Sequence, residues 1–152
     1  MFNKLSNFLY LYLVIRFLKN STNNVVVTLT ENSTVTNPIY LFMFTNQTSN
    51  VPYYFIGTDT SSYKTRYNKF SIIEKVSANT LNGEVTLGFN GYYNYTVYQT
   101  SLANTSGLTT AADAVPFITK SVEVGVVDVV LDAITNTEYD VQDETNIIYQ
   151  PQ

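Results

Sequence analysis

A period-two alternation of apolar and polar side chains, recurring between turns that contain Asn and Gly, constrains this chain more than any other feature. In "NVVVTLTE", Val25, Val27 and Leu29 fall on one side and Val26, Thr28 and Thr30 on the other. That is the period of a strand with one buried face. "EVTLGF" sets Val85, Leu87 and Phe89 on one face, and "YYNYTVYQ" sets Tyr93, Tyr95 and Val97 against Tyr92, Asn94, Thr96 and Tyr98. "SVEVGVVDVVL" restores the alternation with Val122, Val124 and Val126, and Gly125 reads as a bulge or a close backbone approach. Asn82-Gly83 and Asn90-Gly91 tolerate positive φ and predict the hairpin turns of an antiparallel meander. With "FSIIE" and a last candidate, "TNIIYQ", about eight short strands predict an all-β fold, an antiparallel β-sandwich of Ig-like or jelly-roll-like kind.

One stretch departs from the alternation. In "PIYLFMFTNQTSNVPYYFIG", Pro38 opens a strand that is apolar on both faces from Ile39 to Phe44. The polar loop Asn46 to Asn50 turns the chain, and Tyr53 to Ile56 returns. Such a hairpin needs a second sheet on one side and a loop or a partner on the other. From Thr100 to Lys120 the pattern stops. "TTAADAVPF" predicts one helical turn ended by Pro116, and loops this long are often functional.

The chain has 152 residues, enough to bury one sizeable core without a disulfide or a metal. The expected organisation is an apolar N-terminal extension over residues 1–17 followed by a single sandwich domain over 18–152. In "FLYLYLVIRFL", Phe8 to Ile15 is apolar and Lys4 precedes it, which imitates a signal peptide without the small-residue cleavage site. Arg16 stops the run near half of the ~20 residues that a membrane span needs. The segment therefore reads as a strand or short helix packed on this protein or on a neighbour, with no membrane partner.

Composition mainly removes activities. Cysteine and histidine are both absent, which excludes thiol chemistry, the usual proton shuttle near neutral pH and the commonest zinc ligands. The net charge of −4 argues against nucleic acid, whose binders carry basic patches. Up to Lys75 there are seven basic and three acidic residues; from Val76 onward Lys120 alone faces nine acids. Such polarity can bring the acidic end of one copy to the basic end of another.

No side-chain cluster has the spacing of a reaction centre. Asp128, Asp132, Asp140, Asp143 and Glu144 lack the glycine and the ligand spacing of a calcium loop and read as a solvated face. A glycosidase pair among them would need two acids across one cleft. Tyr92 and Tyr98 offer amphipathic rings suited to sugar stacking or to ordinary sheet packing. "YKTRYNK" interleaves Lys64, Arg66 and Lys69 with Tyr63 and Tyr67, a weak echo of single-strand binders that a subunit contact explains equally well. No serine–base, cysteine–base or phosphate-cradling pattern occurs. The expectation is a non-enzyme without cofactor, metal or small-molecule substrate. Its candidate partner contacts are Phe8, Tyr10, Tyr12 and Arg16 in the first segment, Lys64, Arg66 and Lys69 in the middle, and Leu108 and Phe117 in the long loop.

Four stretches in order, "VVVTLTENSTVTNPIYLFMFTNQTSN", "TRYNKFSIIE", "LNGEVTLGFNGYYNYTVYQ" and "VEVGVVDVV", resemble a family of small β-sandwich virion proteins of tailed bacteriophages, including crAss-like and flavobacterial phages. The resemblance covers roughly residues 18–131. It implies an accessory structural protein, a capsid decoration or auxiliary protein on the virion head, made in the bacterial cytoplasm and contacting the major capsid protein or other virion proteins, with self-association as a further expectation. It supplies no catalytic residues. The 100–120 loop is longer than the family's loop, and residues 1–17 extend beyond the family's start. A carbohydrate-binding sandwich of adhesin or lectin type is the alternative expectation.

Overall fold

A computed structural model describes residues 14–131. Its strands are β1 (Val14–Leu18), β2 (Thr22–Val27), β3 (Tyr40–Asn46), β4 (Pro52–Gly57), β5 (Asn68–Glu74), β6 (Glu84–Val85), β7 (Gly91–Thr100) and β8 (Ile118–Val130). They form two layers: a five-stranded sheet in the order β1-β8-β7-β3-β4 and a three-stranded sheet in the order β2-β5-β6. The all-β sandwich is thus what the chain forms. The sheets are mixed rather than purely antiparallel, because β1 runs parallel to β8 and β6 parallel to β5. β1 begins ahead of the boundary expected between residues 17 and 18. Phe17, fully buried, is one of the sandwich's core residues.

The alternation fixes which side chains enter the core. Val25, Val27 and Leu29 are buried while Val26 is exposed, and Tyr93, Tyr95 and Val97 are buried while Tyr92 is exposed. Between the layers lies an aromatic cluster. Phe42 stacks on Phe55 at 5.0 Å and meets the edge of Phe70 at 4.9 Å. Phe44 packs edge-on against Phe17 at 5.6 Å and Phe55 at 5.0 Å. These are the favoured offset and edge-to-face geometries.

Several expectations need correction. The Asn-Gly dipeptides do not make a meander. Gly83 (φ +74°) donates its N–H to the Ile56 carbonyl at 2.7 Å and leads into β6, which pairs in parallel with β5. Gly91 (φ +112°) starts β7 in the other sheet. Both residues use positive φ to re-aim the chain at a corner, since the dipeptide encodes a backbone conformation and not a pairing partner. The strand expected over "EVTLGF" is only two residues long; Val85 and Leu87 are buried, but Phe89 is exposed.

The alternation in β8 also changes phase. Val97 pairs with Glu123 and Tyr98 with Ser121, so Val122 is skipped in a bulge. Beyond a bulge the inward side shifts by one residue. Val122 is buried, Val124 is exposed, and the core-facing positions become Gly125, Val127 and Val129. Gly125 is a close approach as expected: a Cβ there would lie 2.5 Å from the Tyr95 ring.

The last correction concerns the long loop. Pro116 lies inside a 3-10 turn spanning Ala111–Phe117 rather than terminating a helix before it.

Candidate functional site

The outer face of the larger sheet divides into a clad half and a bare half. On β3 and β4 the outward residues are Leu41 and Met43, paired with Ile56 and Tyr54. Residues 101–117 fold across them as a strap. Leu41 and Ile56 are buried with Ala111 and Ala114, and Leu102, Leu108 and Ile118 pack around the group. The part of the hairpin's second apolar face around Leu41, Ile56 and Tyr54 is therefore covered by this chain's own loop.

Local hydrogen bonds fasten the strap. The Asp113 carboxylate accepts from Thr109 N at 2.9 Å and from Thr110 N at 2.8 Å, and Asp113 N donates to the Thr110 carbonyl at 3.2 Å. The bond from Thr110 N to the Asp113 carboxylate is one arm of a capping box whose other arm is the Thr110 side chain. The same backbone donors, Thr110 first, hold the Asp113 carboxyl below its ordinary range. Ala111 N also donates to Thr80 Oγ1 at 3.0 Å, joining the strap to the segment that borders β4.

Over β1, β8 and the start of β7 nothing among the described residues plays that part. Register partners there share a face. Val14 lies beside Val126, Arg16 beside Asp128, and Leu18 beside Val130. Tyr92 continues the Arg16–Asp128 row on β7. Val14 and Tyr92 are each more than half exposed, and Val124 is 65% exposed. The bare half is thus three aliphatic positions, a row holding one cation and one anion, and two further aliphatic positions.

β1 also forms the sheet's edge. Asn23 blocks its C-terminal end, since Leu18 N donates to Asn23 Oδ1 at 2.7 Å and Asn23 Nδ2 donates to the Leu18 carbonyl at 2.9 Å. A side-chain amide here imitates a neighbouring strand and blunts the edge.

A second feature is a cleft of about 750 Å³ at one end of the sandwich, between residues 30–40 and 56–68, with Asn82 and Asn104 at its rim. Asn68, itself buried, organises one wall. Its Oδ1 accepts from Leu29 N at 2.8 Å and Thr30 N at 3.1 Å, and its Nδ2 donates to Asp59 Oδ2 at 2.7 Å. Partial burial pulls the Asp59 carboxyl up, but hydrogen bonds from Ser61, Asn68 and Lys69 outweigh it and hold the group below its ordinary value. The rest of the lining mixes hydroxyl and amide groups with the apolar Val35, Pro38, Ile39, Ile56 and Leu81.

Two other acids serve structure. The buried Glu74 carboxylate accepts from Asn20 N at 2.7 Å and Leu87 N at 3.0 Å. Glu123 accepts from the Tyr95 hydroxyl at 2.6 Å, and burial, then that hydrogen bond, push the Tyr95 phenol well above its usual value. Among the described residues no group of three or more potential metal-binding side chains occurs, and no helix is long and apolar enough to cross a membrane.

The structure separates the expected contact residues. Phe8, Tyr10 and Tyr12 lie outside the described residues, as do Asp132, Asp140, Asp143, Glu144 and "TNIIYQ". Arg16 is exposed on the bare half-face. Lys64 and Arg66 are exposed in the loop before β5, with Lys64 on the cleft wall, and Lys69 is exposed on the smaller sheet. They share no face with Arg16. Leu108 is turned inward under the strap, whereas Phe117 remains 42% exposed. Tyr92 is exposed, and Tyr98 is half-buried against the strap's cluster. Sequence reasoning missed Asp128 as the neighbour of Arg16, because a parallel pairing between the two ends of the described chain creates that contact.

Comparison with known proteins finds no matching family model, no matching curated protein and no matching solved structure.

Proposed function

We propose that this chain is an accessory structural protein of a bacteriophage virion, an auxiliary or decoration subunit on the capsid surface. It binds the head shell and neighbouring virion proteins. The observation that supports this reading is the asymmetry of the larger sheet: a strap of this chain clads one half of the outer face, whereas the other half, apolar except for the Arg16–Asp128 row, has no such cover among the described residues. Val14, Val124 and Tyr92 are exposed together on that half, and grouped exposed apolar side chains are the surface that protein contacts use. The virion setting of the proposal comes from the resemblance in motif order along residues 18–131. The test is co-sedimentation of purified chain with particles that lack it. Wild-type protein should pellet with the particles, and Val124→Asp, a substitution at an exposed site, should stay in the supernatant while remaining folded. Wild-type protein that never pellets would refute the proposal.

A second reading, a carbohydrate-binding module, is favoured by the end cleft, whose hydroxyl and amide groups suit a neutral polyhydroxylated ligand. Specific glycan-array binding by a monomer, lost on Asn68→Ala, would support it over the first.

A further inference from the structure

We infer that the bare half-face pairs with the same face of a second copy, about a two-fold axis that runs along the strands between β1 and β8. This deepens the assembly reading above and rests on it, by naming the partner. The register of β1 on β8 sets the symmetry. Three successive rows on the outer face place Val14 beside Val126, Arg16 beside Asp128 and Leu18 beside Val130; Val14 and Arg16 are exposed and the other four half-buried. A two-fold axis lying in the interface, parallel to the strands and midway between β1 and β8, lays β1 of one copy over β8 of the other. Every row then meets a match. Val14 covers Val126 of the second copy, Leu18 covers Val130, and Arg16 faces Asp128, each contact occurring twice. Such self-complementarity is what an isologous interface requires. The strands of the two faces run in a common direction, within the range of aligned sheet packing at about 10 Å.

Electrostatics sharpen the choice of occupant. Arg16 and Asp128 are register neighbours, yet they form no ion pair with each other; Lys75–Glu84, at 2.8 Å, is the one ion pair among the described residues. Among the described residues neither member of the doublet has an ionic partner to give up in an exchange across the two-fold. Alternative axes fail on the same residues. An axis along β8 sets Asp128 on Asp128, and an axis across the strands through the charged row sets Arg16 on Arg16, and like charges in contact cost several kcal/mol. The area is modest. Two overlapping strands and three rows cover on the order of 200 Å², well below the roughly 800 Å² per partner of a stable complex. Self-association is accordingly weak in free solution and gains from repetition when many copies stand on one surface.

The test is sedimentation velocity over a concentration series with the full chain and two charge reversals, Arg16→Asp and Asp128→Arg. Wild-type protein should show a reversible monomer–dimer equilibrium. Each reversal alone puts like charges together twice and should weaken dimerisation by about tenfold or more. Mixing the two variants should restore it. The carboxylate introduced at position 16 of one variant then faces the guanidinium introduced at position 128 of the other, and the retained Arg16 faces the retained Asp128. Misfolding cannot mimic that rescue. A wild-type chain that stays monomeric throughout, or a mixture that stays monomeric, overturns the inference. If such a monomer still pellets with particles and Val124→Asp does not, the assembly reading survives without self-pairing.

Discussion

The two halves of one sheet face solve the same problem differently. Over β3 and β4, outward apolar residues are covered by residues 101–117, so Leu41 and Ile56 are as buried as the residues between the sheets. Over β1 and β8, residues of similar character at Val14, Val124 and Val126 have no such cover among the described residues. One strap suffices for half the face, and among the described residues no second strap serves the other half. The difference separates folding surface from contact surface within a single sheet.

That comparison breaks most visibly at Leu41. Leu41→Ala removes a fully buried side chain between sheet and strap and should cost about 2–5 kcal/mol in a denaturant titration. A cost near zero would mean that the strap is not packed as described. Gly125→Ala tests the opposite surface of β8, where a Cβ would press on the Tyr95 ring. It should destabilise by about 1–3 kcal/mol through overpacking, read as a lower thermal midpoint.

The strap's fastening is sensitive to acid. The Asp113 carboxyl is held below its ordinary value of 3.8 in the folded chain. Its contribution is therefore present above that value and is lost as pH falls through the lower folded one. Amide exchange over residues 109–117 should accelerate in Asp113→Asn at neutral pH, with little change between β7 and β8. The smallest effect is expected on the bare half. Val124→Ala should alter unfolding free energy by no more than about 0.5 kcal/mol, the usual range for a surface site. A large loss there would show that Val124 is already packed within the monomer.

Much of this was legible in the residues, and the failures share a cause. Alternation named Val25, Val27, Leu29, Tyr93, Tyr95 and Val97 as core because side-chain direction in a strand is a local property. The two-faced hairpin announced a second cover, yet could not say that Ala111 and Ala114 of the same chain provide it. Gly83 and Gly91 announced positive φ, whereas the choice between a hairpin and a sheet-to-sheet corner depends on which strand lies alongside. The bulge at Val122 exchanged the roles expected along β8, since one skipped residue inverts everything after it. Arg16 was named from the sequence as a candidate contact and is exposed, but its Asp128 neighbour depends on a parallel pairing of distant segments. The cleft around Asn68 and Asp59 likewise joins loops that no local pattern connects.

The chain's lack of cysteine makes the decisive measurement direct. Single cysteines at Val124, on the bare half, and at Val76, 78% exposed outside the strands, can be labelled with a maleimide in free protein and in assembled particles. The account predicts rapid labelling of both sites in the free chain and selective protection of position 124 after assembly. Equal labelling of position 124 in both states would contradict it.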